Sequence, residues 1–331
     1  MSETKNIMLS VRLMTFMHDA FILEALKSID IQETNFYFEV VIGDDFSTDK
    51  TLEIIKNYEF QNANIKVVIL NRQKGDDYSI KRERLGRIYN FINILDNCKG
   101  KYVALLDGDD YWVDPLKLQK QVDFLEANPE YEVCFTNICI VDENDSITKQ
   151  ALITDNRKTD YKRKDLPIWA PTLTRVFKNR DFSTVPSAPG LDTVMLLWQS
   201  QFGKIKFINE VSGAYRKHQG GIYSAISKVK QKEHQLTTLL VSLSIIEANL
   251  YAKYFGMLFK QLIEIKTLDK LFYKKNKQLI QDAFVKYNTQ MSFKLRLSIH
   301  FAFVLASLPV NYKQLTIKKY CFKVLDHMFI Y

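Results

Sequence analysis

Short apolar runs alternate with segments of helical spacing through the first 130 residues of the chain. The runs have the length of strands and cover residues 7–15, 38–42, 65–70 and 102–106. Between them, apolar residues recur every three or four positions, as in residues 20–29 and 88–95, which is typical of helices that cover one face of a sheet. Repeated strand and helix units of this kind predict a mostly parallel α/β sheet flanked by helices.

Carboxylates follow the second and the fourth of these runs. Asp44 and Asp45 come directly after the second run, and Asp107, Asp109 and Asp110 come directly after the fourth. Parallel strands end at the same edge of a sheet, and the ligands of such proteins bind in the crevice there. We therefore expect the two acidic turns to line one cleft, although they are far apart along the chain.

The remainder of the chain divides into an irregular region and a helical one. Residues 142–190 are rich in charged residues, Thr and Pro and lack a sustained period, which predicts an irregular lobe. A helix is expected to begin near Gly190, and the pattern after Ser224 is predominantly helical. The sequence thus predicts an α/β domain over residues 1–227 and a basic, aromatic-rich, mainly helical C-terminal region over residues 228–331.

The charge is distributed unevenly between these two regions. With 331 residues and 47% hydrophobic residues, the chain can bury a core, which excludes a wholly disordered protein. The net charge is +8, but residues 228–331 hold 17 Lys and Arg against 6 Asp and Glu. A basic segment interleaved with Phe and Tyr favours either an anionic membrane surface as partner or plain packing in a helical domain. Nucleic acid is not expected, since no base-reading module is recognisable in the first region.

No segment is expected to cross a membrane. The longest apolar stretch, residues 299–310, contains His300 and Pro309 and is shorter than the roughly 20 residues that a bilayer span requires. The four cysteines are spaced too irregularly for a zinc ribbon or a disulfide framework. These features predict a cytoplasmic protein, with a peripheral position at the inner face of the membrane as an extension of that prediction.

The segment over residues 103–112 carries the strongest chemical signal. Asp107 and Asp109 are spaced one residue apart after an apolar strand, around a turn that Gly108 allows to be tight. Hard oxygen ligands of this kind suit Mg²⁺ or Mn²⁺, and such an ion would hold a phosphate group. An acidic turn that only caps a strand is the structural alternative. A phosphatase nucleophile of the haloacid dehalogenase type would need Thr or Val where Tyr111 stands.

Three segments together resemble a known family. They are Gly-Asp-Asp-Phe-Ser-Thr-Asp over residues 43–49, the segment over residues 98–112, and Tyr-Arg-Lys-His-Gln-Gly-Gly over residues 215–221. In this order they resemble family 2 glycosyltransferases, over about residues 6–224. The resemblance implies a GT-A, Rossmann-like fold and an inverting enzyme of the hexosyl type. Such an enzyme uses a divalent cation to transfer sugar from a nucleotide diphosphate, UDP foremost, to a hydroxyl of a glycan or lipid-linked acceptor, as in surface polysaccharide biosynthesis.

The resemblance also implies roles for residues that bind the donor. Thr15 and Phe16 would lie against the nucleobase after the first strand, and Asp45 would accept a hydrogen bond from a ring nitrogen of the base. Asp107 and Gly108 would lie near the ribose. One further residue, Arg87, precedes the strand that carries the acidic turn and would reach a phosphate group, with ordinary solvation of an exposed arginine as the alternative.

The metal and the catalytic base are assigned in the same way. Asp109 and His218 would hold Mg²⁺ or Mn²⁺, which bridges the diphosphate. Asp192 is the candidate general base, because the acceptor hydroxyl must lose a proton as it attacks and a helix N-terminus favours a charged carboxylate. A role of Asp192 as a helix cap is the alternative.

Two departures from the family pattern leave other functions open. Met17 stands where the family carries Asn after the first strand, and Leu191 replaces the glutamate that often precedes the base. A non-catalytic protein that binds nucleotide sugars or polyanions would explain both departures. A nucleotidyltransferase also uses a metal and paired carboxylates, but residues 11–19 lack the glycine-rich phosphate loop that such enzymes commonly have.

Overall fold

The chain forms two compact units in a computed structural model that describes residues 6–221, 226–308 and 315–329. The first, called the sheet unit, comprises Met1–Val185 and Gln199–His218. The second, called the helical unit, comprises Pro186–Trp198 and Gln219–Tyr331. The boundary predicted from the sequence lies after residue 227, and that prediction places residues 186–198 in the first domain. The division into a catalytic domain and a C-terminal region stays a prediction.

The sheet unit is a mixed α/β structure, as the sequence predicts. Its strands are β1 (Ile7–Thr15), β2 (Tyr37–Asp44), β3 (Ile65–Ile69), β4 (Tyr102–Asp107), β5 (Tyr111–Trp112), β6 (Tyr131–Val141), β7 (Ile147–Lys149), β8 (Asp160–Tyr161), β9 (Val176–Lys178) and β10 (Lys204–Arg216). Its helices are α1 (Ile22–Asp30), α2 (Thr51–Asn57), α3 (Asp77–Leu85), α4 (Ile88–Asp96) and α5 (Lys117–Ala127). The four strands predicted among the first 130 residues are confirmed, with ends shifted by one or two residues.

One sheet contains all ten strands, in the order β3-β2-β1-β4-β9-β6-β10-β5, with β7 beside β6 and β8 beside β10. β1 pairs in parallel with β2 and β4, β2 with β3, and β6 with β10. The short strands β5, β7, β8 and β9 are antiparallel to their neighbours. The long strand β10 is continuous from Lys204 to Arg216, although its register against β6 shifts between Ile208 and Val211.

Several elements of the sheet unit were not predicted; besides the short strands β5, β7, β8 and β9, these are β6 and α3. All eleven residues of β6 are buried, so its sequence does not alternate between apolar and polar positions. Helix α3 has few apolar residues and is capped by Asp76, whose side chain accepts a hydrogen bond from the amide of Ser79. Both elements lack the periodicity by which a strand or a helix is recognised in a sequence.

The helical unit is built around one buried helix. Its helices are α6 (Leu191–Gln199, of which residues up to Trp198 belong here), α7 (Lys228–Ser242), α8 (Tyr251–Leu268), α9 (Lys270–Tyr287), α10 (Phe293–Ser307) and α11 (Leu315–Phe329). Helices α7, α9, α10 and α11 all pack against α8. The ring of Phe259 in α8 lies 4.8 Å from that of Phe303 and 6.2 Å from that of Phe329. In the described part of the chain, no helix combines the length and the apolar character that a bilayer crossing demands.

Candidate active site

The two acidic turns flank the end of the central strand β1. Thr15 is the register partner of Asp44 in β2, and Met14 is the partner of Asp107 in β4. The main-chain amide of Asp45 donates a hydrogen bond to the carbonyl oxygen of Thr15, over 3.0 Å. Because β1 lies between β2 and β4 in a parallel arrangement, the turns that follow both strands lie at one edge of the sheet.

Gly108 is the residue that lets the second acidic turn approach α1 closely. A Cβ atom at this position would lie 2.9 Å from Nδ1 of His18, 2.9 Å from Oγ1 of Thr15 and 2.9 Å from Cδ1 of Ile22. The amide of Gly108 also donates a hydrogen bond to the carbonyl oxygen of Met14, over 2.8 Å. A larger residue would force these side chains or the turn to shift, so glycine allows the closest approach of the turn to α1.

Asp109 lies between two histidines from distant parts of the chain. Its Oδ2 atom is 3.2 Å from Nε2 of His218 and 3.7 Å from Nε2 of His18. Burial acts to raise the pKa of Asp109, but the hydrogen bond with His218 and the nearby His18 ring outweigh it and hold the pKa below its ordinary value. The carboxylate is therefore charged at neutral pH.

Asp109 and His218 could hold a divalent cation only if other ligands, such as phosphate oxygens or water, complete its coordination. The part of the chain that the structure describes contains no group of three or more His, Cys, Asp or Glu side chains arranged for a metal ion. Asp109 and His218 thus offer one carboxylate and one imidazole. Mg²⁺ commonly binds through one or two carboxylates together with substrate phosphates and water, and Mn²⁺ also accepts imidazole.

Arg216 connects the acidic turn with β10. Its side chain is 1% exposed, and its Nε atom donates a hydrogen bond to the carbonyl oxygen of Asp109, over 3.0 Å. Its main-chain amide donates to Oδ1 of Asp110, over 2.9 Å, and its Nη1 lies 2.6 Å from Oδ1 of Asp145. Burial and the neighbouring Asp109 raise the pKa of Asp110 well above its usual range. Because Arg216 is hydrogen-bonded to both Asp109 and Asp110, it fixes the position of the turn relative to His218, which lies two residues further along the chain.

The side chain of Asp107 is held by Arg12, a buried arginine that was not predicted to belong to the site. Nη1 of Arg12 lies 2.8 Å from Oδ1 of Asp107, and the Arg12 side chain is fully buried. The guanidinium also lies over the ring of Phe91, 4.3 Å from its centroid. Burial raises the pKa of Asp107 even though Arg12 opposes that shift. The signal in the sequence was a single charged residue inside the apolar run of β1.

Asp45 is positioned by α3. Its Oδ1 accepts hydrogen bonds from the hydroxyl of Tyr78, over 2.7 Å, and from Nε of Arg82, over 2.9 Å. Nη2 of Arg82 lies 2.8 Å from Oδ2 of the same carboxylate. Arg72 stacks on Tyr78, with 3.8 Å between its Cζ atom and the ring centroid, and donates to the carbonyl oxygen of Asp44. Sequence reasoning missed these partners because α3 itself was not predicted.

The remaining predicted donor residues lie at the margins of this region. Phe16 directly follows β1 and is 47% exposed. Arg87 directly precedes α4, and partial burial together with the charge of Arg82 lowers the pKa of Arg87. Arg82, which contacts the Asp45 carboxylate, thus also lies close enough to Arg87 to influence its pKa.

Asp192 belongs to the other unit. It lies in the first turn of α6 and follows a loop that is tied to α7. The amide of Gly190 donates a hydrogen bond to Oγ1 of Thr238, over 3.1 Å, and a Cβ at Gly190 would approach that oxygen to 2.8 Å. The start of α6 is thus fixed within the helical unit, and the role of Asp192 stays a prediction.

Relatives of this chain are found among bacteria and archaea. It is 29% identical over 234 residues to an uncharacterized protein of Mycobacterium tuberculosis, which covers 68% of this chain and 63% of the relative. It is 29% identical over 133 residues to an uncharacterized glycosyltransferase of Methanocaldococcus jannaschii, 40% of this chain and 41% of the relative. The chain therefore spans less than two thirds of the length of these relatives.

The fold and the family are shown by two further comparisons. The crystal structure of S. aureus TarS 1–349 in complex with UDP-GlcNAc superposes with a TM-score of 0.61 at 17% identity, covering 97% of this chain and 91% of the other. This likeness confirms the expected GT-A fold. The family model described as glycosyl transferase family 2 matches residues 10–182, more than half of the chain. The chain belongs to glycosyltransferase family 2.

Proposed function

We propose that this protein transfers a hexose from a UDP-sugar to a hydroxyl of a glycan or lipid-linked acceptor, with inversion and with the aid of Mg²⁺ or Mn²⁺. Membership of family 2 supports transfer from a nucleotide sugar. The observation that carries the finer proposal is the contact of Asp109 with His218, across 109 residues of sequence, beside Asp107 at the carboxyl edge of the sheet.

Donor recognition would begin at Asp45. Tyr78 and Arg82 hold the Asp45 carboxylate in a fixed position, and Oδ2 lies 2.8 Å from both Nε and Nη2 of Arg82. The carboxylate would accept the N–H of a uracil ring in place of part of its contact with Arg82, while the exposed ring of Phe16 would offer a flat surface to the base. Arg87 would attract the diphosphate, because a guanidinium binds phosphate oxygens well.

Asp109 and His218 would hold the cation. When bound, the ion would neutralise the negative charge that develops on the departing diphosphate. Asp109 is held in place before any ion binds, because Gly108 allows the close turn and Arg216 donates a hydrogen bond to the carbonyl oxygen of Asp109. Positions that are rigid before the reaction need no rearrangement at the moment of bond cleavage.

Asp192 would act as the general base. The acceptor oxygen forms a bond to the anomeric carbon as the bond to the diphosphate breaks, and its proton passes to the Asp192 carboxylate. The location of Asp192 in the first turn of α6 supports this role, because the helix dipole favours a negative charge there. A single displacement of this kind inverts the anomeric configuration.

A panel of nucleotide sugars tests the proposal without knowledge of the acceptor. We expect slow hydrolysis of one UDP-sugar in Mg²⁺ or Mn²⁺, no hydrolysis in EDTA, and inverted configuration of the first-formed sugar by NMR. Tight UDP binding with no hydrolysis of any sugar would favour the non-catalytic alternative. Release of pyrophosphate from a nucleoside triphosphate and a sugar phosphate would instead identify a nucleotidyltransferase.

A further inference from the structure

Helix α10 is apolar on two sides, although only one of them packs against the helical unit. Leu295, Ile299, Ala302 and Ala306 are buried, with at most 5% exposure, and form the packed side. A helix that only covers a core is polar on its outer side. The outer side of α10 does not follow this rule.

Five large apolar side chains are exposed along the outer side. Phe293, Leu297, Phe301, Val304 and Leu308 are 69%, 53%, 55%, 58% and 41% exposed. At about 100° per residue they fall within an arc of about 80°, so they form one continuous line along the helix, called the apolar stripe. Isolated exposed apolar residues are ordinary, but a contiguous group marks an interaction surface.

Positive charges border the apolar stripe on both sides. At the same angular spacing, Lys294 lies next to one edge and Arg296 lies beyond the other. Lys277 of α9 adds a further cation, since its Nζ donates a hydrogen bond to Oγ of Ser307, over 2.8 Å. Helix α10 contains no Asp or Glu, and residues 228–331 hold 17 basic against 6 acidic residues.

We propose that the apolar stripe inserts into the surface of a membrane that contains anionic lipids. Lysine and arginine beside aromatic and aliphatic side chains are the composition of helices that lie in a lipid interface. The cations would contact lipid headgroups while the apolar stripe enters the boundary with the acyl chains. A second copy of α10 would present the same cations and no Asp or Glu to pair with them, so charge complementarity favours anionic lipid over a second copy.

For the C-terminal region the sequence left two alternatives open, contact with lipid and packing in a helical domain, and this assignment divides its aromatic residues between them. Phe303 is half-buried and packs against Phe259 and Phe284, whereas Phe293 and Phe301 are exposed. We therefore assign the membrane surface to the outer side of α10, where the exposed apolar residues form a contiguous group. It does not depend on the proposed glycosyl transfer, because binding to lipid requires neither donor nor acceptor.

Sedimentation of the full chain with vesicles tests the proposal. We expect binding to vesicles of phosphatidylcholine with about 30% phosphatidylserine, weaker binding to phosphatidylcholine alone, and release at high salt. The double variant Leu297→Gln with Phe301→Gln should lower the partition coefficient at least about tenfold. Its matched control is Ile31→Gln with Ile147→Gln, which changes two residues of the sheet unit that are each 54% exposed.

A second pair of variants tests the charges. Lys294→Gln with Arg296→Gln should weaken binding to anionic vesicles several-fold and leave binding to neutral vesicles unchanged, whereas the exposed pair Lys27→Gln with Lys66→Gln should have no effect. Equal binding of the wild type to neutral and anionic vesicles would overturn the proposal, as would unchanged binding of the Leu297 and Phe301 variant. A dimer in sedimentation velocity that this variant dissociates would show that a second copy covers the apolar stripe instead.

Discussion

The two units differ in what they bury. The sheet unit encloses charged side chains, including Arg12 at 0%, Lys117 at 1% and Asp110 at 5% exposure. Among the described residues of the helical unit, Glu233 is the single buried charged residue, and it pairs with Lys230 and Lys275 near the surface. Burial of charge is unfavourable unless the group is paired, so each such group in the sheet unit is part of a contact network.

This difference indicates where chemistry and where stability reside. At the carboxyl edge of the sheet, buried arginines hold Asp107 and the turn of Asp109 in place, and these contacts position charge more than they stabilise the fold. In the helical unit, α8 is stabilised by apolar packing on several sides. Asp192 is the proposed exception, since a general base there would give the helical unit a chemical role.

The largest expected effect comes from Asp192, because its proposed role would place part of the chemistry in the helical unit. Asp192→Asn should lower the rate of sugar transfer by about 10²–10⁴-fold, because the acceptor would lose its general base. Binding of UDP, measured by calorimetry, should remain within about twofold, since the donor residues belong to the sheet unit. Loss of both binding and transfer would mean that Asp192 has a structural role.

Asp109→Asn should lower kcat by about 10²–10³-fold, while the unfolding free energy should fall by only about 1 kcal/mol as the hydrogen bond with His218 is weakened. The amide keeps the shape of the side chain but cannot offer a charged oxygen to a cation. Steady-state kinetics in Mn²⁺ together with urea unfolding would measure both quantities. Asp123→Asn on α5 is the matched control, and an undiminished rate for Asp109→Asn in the presence of metal would refute the assignment.

Ile299 and Phe301 of α10 differ in burial, so they compare a packed and an exposed apolar residue within one helix. Ile299→Ala should reduce the unfolding free energy by about 2–4 kcal/mol, because Ile299 is fully buried and its loss leaves a cavity. Phe301→Ala should change it by less than about 0.5 kcal/mol, since Phe301 is 55% exposed. Urea unfolding of both variants measures the difference. Equal losses would show that the apolar stripe is part of the core.

The smallest expected effect concerns Lys117, whose pKa burial lowers to about 7. Its Nζ donates a hydrogen bond to Gln121 and lies 4.3 Å from the Trp112 ring centroid. Because the folded pKa lies below the unfolded one, the unfolded state binds more protons between them, and the unfolding free energy rises with pH in that window. Relative to Lys117→Met, the wild type should gain about 1–2 kcal/mol between about pH 7.5 and 9.5.

The control for this pH dependence is Lys66→Met, which removes an exposed lysine of the same unit. Its unfolding free energy, measured in urea at both pH values, should run parallel to that of the wild type. Parallel curves for Lys117→Met as well would show that Lys117 titrates normally in the folded state.

Strands and acidic turns could be predicted from the sequence because their signals are local. Each of the strands β1 to β4 is an apolar run, and the carboxylates directly follow two of them. The motifs around Asp45, Asp109 and His218 identified the family for the same reason, since each motif occupies a few consecutive residues. Burial on both faces removed the periodicity of β6, so this strand was missed.

The chain by itself thus determined the α/β class, the position of the acidic turns and the excess of positive charge after residue 227. Only the tertiary structure decided that Arg12 holds Asp107, that Asp109 meets His218, and that one apolar side of α10 is exposed. The contacts of Asp107 and Asp109 join residues 95 and 109 positions apart. These contacts form only because the strand order of the sheet brings distant residues together, which no local pattern encodes. Both sides of α10 are apolar in sequence, so the side that is buried is decided by the helices that pack against it.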